Sequence, residues 1–228
     1  MRLAVAQPSC VALDVVANVA AHAALVTEAQ ARVVVFPELS LTGYELGAAP
    51  VSPDDARLAP LVAACGRSGS VALVGAPVTE GGARYIGMLA VDGCGASVVY
   101  RKVYCDESEA SFTDGPGPVA LEVDGRRLGL AICRDTRFGE HRSRTAALGI
   151  DAYVAGILMH VDESQMQARR GVQIARELQV PVAFAGYAAP TGEGYTDPAG
   201  RSAIWAGDGT VLAQAGTSVG EAVVAELF

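Results

Sequence analysis

Three strand-like runs in this sequence end on a residue able to do chemistry. Val33-Val34-Val35-Phe36-Pro37 leads to Glu38, Ser97-Val98-Val99-Tyr100-Arg101 to Lys102, and Leu128-Gly129-Leu130-Ala131-Ile132 to Cys133. A thiol that attacks a carbonyl carbon needs a base to take its proton and positive charge to hold the oxyanion that follows. A carboxylate and an ammonium supply those two needs, so the three types together suit a cysteine hydrolase. Each alone has a plainer reading: Glu38 as a cap or surface carboxylate, Lys102 as half of a solvated basic pair, Cys133 as an inert buried thiol. Position argues the other way, because sites in α/β proteins gather at strand ends. Cys133-Arg134-Asp135-Thr136-Arg137 also turns toward a helix, and a helix amino terminus and a cation both lower a thiol's pKa.

Histidine is the more usual partner of a reactive cysteine, and the chain holds three. His22 falls inside a predicted helix, and His141 opens a helix leading away from Cys133. His160 follows Gly156-Ile157-Leu158-Met159 and is the one placed to line a pocket, so a Cys133–His160 pair is a second mechanism. Asp135, Glu140 and His141 lack a recognisable metal-ligand spacing; neither metal nor cofactor is expected. Arg134, Arg137, His160, Tyr187 and Arg201 are pocket candidates, and two arginines facing the site would imply a carboxylate-bearing substrate.

The elements that must position these residues follow from the apolar pattern. Strands are expected over 2–7, 33–36 and 71–76, with helices over 14–31 and 53–69 between them, an alternation that argues for an α/β layered domain. From Arg84 to Val123 the runs shorten and Gly-containing turns such as Asp92-Gly93-Cys94-Gly95 separate them, which reads as hairpins and a mixed sheet. Helices return over 140–148 and 164–178, each followed by a strand, 152–156 and 181–185. The tail from Ser202 reads as strands with a turn at Asp208-Gly209. The long Gly-, Pro- and Thr-rich segment 188–201 is expected to border a site.

At 228 residues and 51% hydrophobic content the chain can bury one large core, so a single domain over 1–228 is expected. No apolar run approaches the roughly 18 residues a membrane span needs. The formal net charge of −8, without long charge runs, makes nucleic acid a poor partner. Five cysteines, an odd number with no Cys-x-x-Cys, suit neither a disulfide framework nor structural zinc. Met1 to Pro8 lacks the pattern of a signal peptide. A cytoplasmic protein with free thiols is the expectation.

Phe36-Pro37-Glu38-Leu39-Ser40-Leu41-Thr42-Gly43-Tyr44, Tyr100-Arg101-Lys102-Val103 and Leu130-Ala131-Ile132-Cys133-Arg134-Asp135-Thr136-Arg137-Phe138 resemble, in order and spacing, the three signature blocks of the nitrilase superfamily of carbon–nitrogen hydrolases. The likeness extends from the first strand to the closing strands around Gly200 to Ala213. It implies an α/β fold of the αββα sandwich type with mixed sheets, and a homo-oligomer, most simply a dimer. It implies a Glu38–Lys102–Cys133 triad and a second glutamate, Glu109 in Glu109-Ala110-Ser111-Phe112-Thr113-Asp114-Gly115, with Glu107 competing. Tyr44, Arg134, Arg137 and His160 are then the candidate substrate-binding residues.

The implied activity is hydrolysis of a small carboxamide through a cysteine thioester, with no cofactor and a small-molecule amide or nitrile as partner. A nitrilase or an N-carbamoyl amidohydrolase would use the same triad, and a catalytically silent binding protein would keep the fold alone. Tyr104-Cys105, Asp114, Gly139, Arg134 and Gly186 depart from the family's common residues, and all surround the expected pocket.

Overall fold

The computed structural model describes residues 1–228. Twelve strands form two six-stranded sheets. The first contains β1 (Arg2–Gln7), β2 (Val33–Val35), β3 (Val71–Glu80), β4 (Ala83–Asp92), β5 (Gly95–Arg101) and β12 (Glu221–Glu226), in the order β12-β1-β2-β3-β4-β5. The second contains β6 (Ala120–Val123), β7 (Arg126–Ile132), β8 (Ala152–Gly156), β9 (Val182–Ala185), β10 (Ala203–Trp205) and β11 (Val211–Gln214), in the order β11-β10-β9-β8-β7-β6. Parallel pairs at each centre, β1–β2–β3 and β7–β8–β9, are flanked by antiparallel ones, so both sheets are mixed.

The apolar runs are continuous because the central strands are covered on both faces. Along β1, Leu3 and Val5 pack between the sheets against residues such as Leu130 and Val154. Their neighbours Ala4 and Ala6 face outward, into the layer that Val19 and Val26 of α1 (Val15–Ala29) and Leu61 of α2 (Ala59–Ser68) complete. On the far side, Tyr153, Phe184 and Trp205 meet Ile174 and Ala175 of α4 (Ser164–Leu178). The remaining helix, α3 (Gly139–Ala146), packs near β7 and α4. The layers are therefore helix, sheet, sheet, helix, the αββα arrangement expected.

Most element boundaries match the pattern, and the exceptions have local causes. The helix predicted over 53–69 begins as a 3-10 turn at Ala56–Leu58, where the Asp55 carboxylate accepts the Arg57 N–H, and α2 proper starts at Ala59 with Pro60 in its first turn. Gly69 closes α2 with φ +65°, a left-handed cap that glycine adopts without strain. The tail strands divide: β10 and β11 form a hairpin in the second sheet, whereas β12 crosses to pair antiparallel with β1 in the first. No helix is long and apolar enough to cross a membrane. Glu38, Lys102 and Cys133 follow the carboxyl ends of β2, β5 and β7, so residues from both sheets converge at one end of the sandwich.

Candidate active site

Glu38 sits in a backbone turn gripped by glycines from both sheets. A Cβ on Gly156, at the end of β8, would lie 2.6 Å from Phe36 O and 2.9 Å from Glu38 N. One on Gly75 of β3 would lie 2.6 Å from Pro37 O. Neither strand can carry a side chain there. Leu39 has φ +51°, a conformation costing on the order of 1 kcal/mol that the surrounding bonds must hold. The Tyr187 hydroxyl supports the same turn from below, donating to Glu38 O at 2.8 Å. His22 supports it from the side through the Ser40 hydroxyl, at 2.8 Å.

The Lys102 ammonium bridges two buried carboxylates. Its Nζ donates to Glu38 Oε1 at 2.7 Å and to Glu109 Oε1 at 2.6 Å, and all three residues are at most 2% exposed. Glu109 is held in turn by the Asp106 N–H at 2.7 Å and faces the Tyr44 hydroxyl at 3.4 Å. Glu107 is exposed, so Glu109 is the glutamate against the lysine. Two of the three ammonium hydrogens are thus engaged and one remains. On Glu38, Oε2 is buried without a hydrogen-bond partner.

Burial raises the Glu38 carboxyl to about 7, against the opposing pull of Lys102. Burial alone would lower Lys102, but the charges of Glu38, Cys133 and Glu109 outweigh it and hold the ammonium above its ordinary value. The lysine is therefore protonated throughout the neutral range.

Cys133 begins a 3-10 turn, Cys133–Arg137, with φ +37°. Its Sγ donates to Leu158 O at 3.4 Å. The sequence pattern implied a thiol of lowered pKa; the structure reverses this. Burial, reinforced by the Glu38 carboxylate, pushes the thiol up to about 12 despite Lys102. A short 3-10 turn starting at the cysteine itself offers little of the dipole that a full helix end would.

Asp135 fixes the thiol turn relative to the lysine. Its Oδ1 accepts the N–H groups of Val103 at 3.1 Å and Tyr104 at 2.9 Å, while Oδ2 accepts the Ile132 N–H at 3.0 Å and the Tyr100 hydroxyl at 2.7 Å. Tyr100 is also 2.7 Å from His141 Nε2. Because the tyrosine hydrogen goes to Asp135, Nε2 is the protonated nitrogen. Burial lowers His141 to about 4, so it is a neutral member of this network and not a ligand or base at the thiol.

A cleft of about 170 Å³ opens over these groups. Of the residues expected to contact substrate, Tyr44, Arg134 and Arg137 line it. Arg134 pairs with Asp106 and lies over the Phe138 ring. His160 does not line it: the imidazole stacks on Tyr195, ring centroids 4.2 Å apart, and Cys133 bonds to Leu158 O instead. No hydrogen bond joins Cys133 to His160 in this arrangement. Tyr187 is buried and does not line the cleft, its hydroxyl bonding the Glu38 carbonyl instead, and Arg201 is exposed elsewhere. The segment 188–201 does border the site, through Tyr195. Two of the family departures answer each other, since Asp114 accepts the Cys105 N–H at 3.0 Å.

Sequence reasoning missed Asp106, Glu163 and Arg170 as cleft residues. Arg170 lies on α4, whose polar face looks like any solvated helix, and only the packing of α4 beside the thiol turn reveals it. Asp106 and Glu163 carried a readable signal as caps of short 3-10 turns, but a cap does not announce a pocket.

The carbon–nitrogen hydrolase family profile matches residues 2–227. A Pseudomonas protegens protein described as a hydrolase in the pqqF 5′ region is 31% identical over 235 residues, covering 95% of this chain and 79% of the relative. A glutamate-to-glutamine mutant of the amidase from Nesterenkonia sp. AN1, in a structure showing the result of Michael addition of acrylamide at the active-site cysteine, superposes with TM-score 0.86 and 26% identity, over all of this chain and 93% of that one. Saccharomyces cerevisiae Nit3, a member of branch 10 of the nitrilase superfamily, shares the fold at TM-score 0.88 and 20% identity, over all of this chain and 89% of its own.

Proposed function

This chain belongs to the carbon–nitrogen hydrolase family of the nitrilase superfamily, and from that membership we propose that it is an amidase in which Cys133 is the nucleophile, Glu38 the base and Lys102 the oxyanion donor. The observation that carries the reading is the ammonium of Lys102 held between Glu38 and Glu109, with Glu38 Oε2 left without a partner.

In the resting site the thiol is neutral and Glu38, near 7, is a carboxylate in a large fraction of molecules. Glu38 takes the thiol proton as sulfur attacks the amide carbon, so charge separates only while the carbon–sulfur bond forms. The negative charge passes to the former carbonyl oxygen, which the third Lys102 hydrogen meets. Glu38 then returns the proton to nitrogen, the carbon–nitrogen bond breaks, and ammonia or an amine departs from a thioester. A water gives one proton to Glu38 and adds through its oxygen to the thioester carbon. The acid is released and sulfur recovers its proton. Glu109 keeps Lys102 aimed and fixes the edge of the cleft near Tyr44. The glutamate-to-glutamine mutant of the similar Nesterenkonia amidase, with acrylamide joined to its active-site cysteine, supports the assignment of the nucleophile.

Intact-mass measurement during turnover of a panel of short carboxamides, nitriles and N-carbamoyl compounds tests this. An acyl adduct that forms from an amide and is lost in Cys133→Ala is the expected result. Turnover of nitriles or N-carbamoyl compounds with amides inert would overturn the amidase assignment while retaining the thiol. No adduct and no product from any compound would favour a binding protein that retains the fold.

A further inference from the structure

Behind the thiol turn, buried side chains with no part in the proposed chemistry join into one row. Asp135 ends it, and Tyr100 of β5, His141 of α3 and Tyr153 of β8 lead to it; all four are at most 1% exposed. The two tyrosines come from different sheets. His141 stands between their rings, edge-on to each with centroids 6.2 Å apart, and the Tyr104 ring closes a third side at 6.4 Å. None of the four lines the cleft.

Each hydrogen in the row has one place to go. Asp135 Oδ2 takes the Tyr100 hydrogen at 2.7 Å, so the Tyr100 oxygen accepts from His141, whose Nε2 is 2.7 Å away. Nδ1 is then bare and needs a donor. Thr145 Oγ1, 3.4 Å away, gives its hydrogen to the His141 carbonyl at 2.7 Å, which leaves the Tyr153 hydroxyl, at 3.2 Å, as that donor. The hydrogens therefore all run one way, from Tyr153 through His141 and Tyr100 to Asp135. Hydrogen bonds aligned head to tail polarise one another and strengthen the last in the row.

That last bond counts because Asp135 keeps its charge by a narrow margin. Burial raises its carboxyl to about 6, and the Tyr100 hydrogen bond leads the pulls against burial, ahead of the Ile132 and Tyr104 N–H groups and the Lys102 ammonium. His141 itself stays neutral, since burial lowers it to about 4 and Arg144 and Arg142 of its own helix push the same way. Glu38 in turn feels the Asp135 charge. A protonated Asp135 would carry a hydrogen among four donors and loosen the bonds that hold the Cys133 turn against Lys102.

We infer that His141 is a positioning residue: acting through Tyr100, it keeps Asp135 an acceptor for all four donors and so keeps the Cys133 turn in place beside Lys102. A neutral imidazole has one hydrogen and one lone pair on opposite sides of its ring, so it can accept from Tyr153 and donate to Tyr100 at once. The consequence for turnover rests on the amidase reading, but the direction of the row does not.

The wild-type protein gives the first test. In proton–nitrogen spectra of the imidazole groups at neutral pH, His141 is expected in the neutral form with its hydrogen on Nε2, its signal assigned by loss in His141→Gln. A hydrogen on Nδ1 alone, or an imidazolium, would overturn the inference. The second test is kinetic. His141→Leu removes both bonds, and kcat is expected to fall roughly 2-fold to 10-fold at neutral pH, the range that one neutral hydrogen bond gives. KM stays as it was, because His141 does not reach the cleft. The deficit shrinks as pH rises toward about 9, where Asp135 is charged without help. His141→Gln, which still carries a donor for Tyr100, recovers part of kcat. A lost packing contact would lower kcat equally at every pH, so a deficit independent of pH, or an unchanged kcat, overturns the inference. Should His141→Leu fail to fold, Tyr153→Phe removes only the first hydrogen of the row and carries the same test at smaller size.

Melting temperatures separate the row from the reaction. His141→Leu and Tyr100→Phe combined should lower Tm by less than the sum of the two alone, because each breaks the same row. Coupled losses and the Nε2 hydrogen in a protein that turns over no amide would uphold the row and sink the amidase. Amide turnover with additive losses would do the reverse.

Discussion

The carboxylate of Asp135 accepts the backbone N–H of Val103 at 3.1 Å, tying the turn that opens with Cys133 to the residue that follows Lys102. The two segments belong to different sheets, and Asp135 is fully buried with four donors converging on it. This carboxylate thus sets the distance between thiol and ammonium.

Replacing it removes acceptors that buried N–H groups cannot find elsewhere. Asp135→Asn turns one oxygen into a donor facing donors, and should cost at least about 1–3 kcal/mol. For a chain of this size that lowers Tm by roughly 2–4 °C per kcal/mol. The distinguishing readout is kcat, expected to fall by more than the loss of folded protein explains. An unchanged kcat per folded molecule would remove Asp135 from the positioning role.

Gly156→Ala should reach the chemistry through backbone alone. The new methyl cannot coexist with the Phe36–Glu38 backbone as it stands, so the Glu38 turn must move. A displacement of about 1 Å in a reacting group costs on the order of 100-fold in rate. Gly47→Ala, where nothing lies within 4 Å of the added atom, is the matched control. Equal kcat/KM for the two variants would mean that the grip on Glu38 is not tight.

The pH profile follows from Glu38. If the Glu38 carboxylate is the base, as proposed, kcat/KM should rise with pH through about 7, the value to which burial raises this group. Stability moves oppositely. A carboxyl whose pKa is raised on folding binds its proton more tightly in the native state, so its favourable contribution is complete below the ordinary value of 4.5 and is lost as pH climbs toward 7. Melting curves at pH 5 and pH 7.5 should therefore show wild type losing stability relative to Glu38→Gln as pH rises. A gap between the two that stays constant would contradict the raised carboxyl.

Lys102→Met leaves Glu38 and Glu109 facing each other with no cation between them. Removing one partner of such a buried cluster costs about 3–5 kcal/mol. Losing an oxyanion donor lowers kcat by about 100-fold to 1,000-fold. The double variant Lys102→Met with Glu109→Gln should regain part of the Tm without regaining kcat. Recovery of both together would assign Lys102 a purely structural role.

Much of this arrangement was legible along the chain because its central strands are covered on both faces, which turns each into an apolar run with a visible end. Glu38, Lys102 and Cys133 stand at those ends, and their order and spacing were what connected three locally unremarkable residues. Glu109 was readable only through resemblance, since acidic neighbours mask it until burial separates it from Glu107. Asp135 and Arg170 were illegible as site residues, because their significance arises from packing between distant segments. The direction of the Cys133 pKa failed for a related reason: sequence suggests charges and helix ends near a thiol, but desolvation depends on everything packed around it.

The resting state of Cys133 has a consequence for survival in an oxidising setting. Peroxides and stray electrophiles are attacked by thiolate, and a sulfur that keeps its proton until Glu38 removes it presents very little. On the proposed mechanism, reactivity is deferred until Glu38 takes the proton as a substrate carbon is attacked, so the resting thiol is expected to react slowly with peroxides.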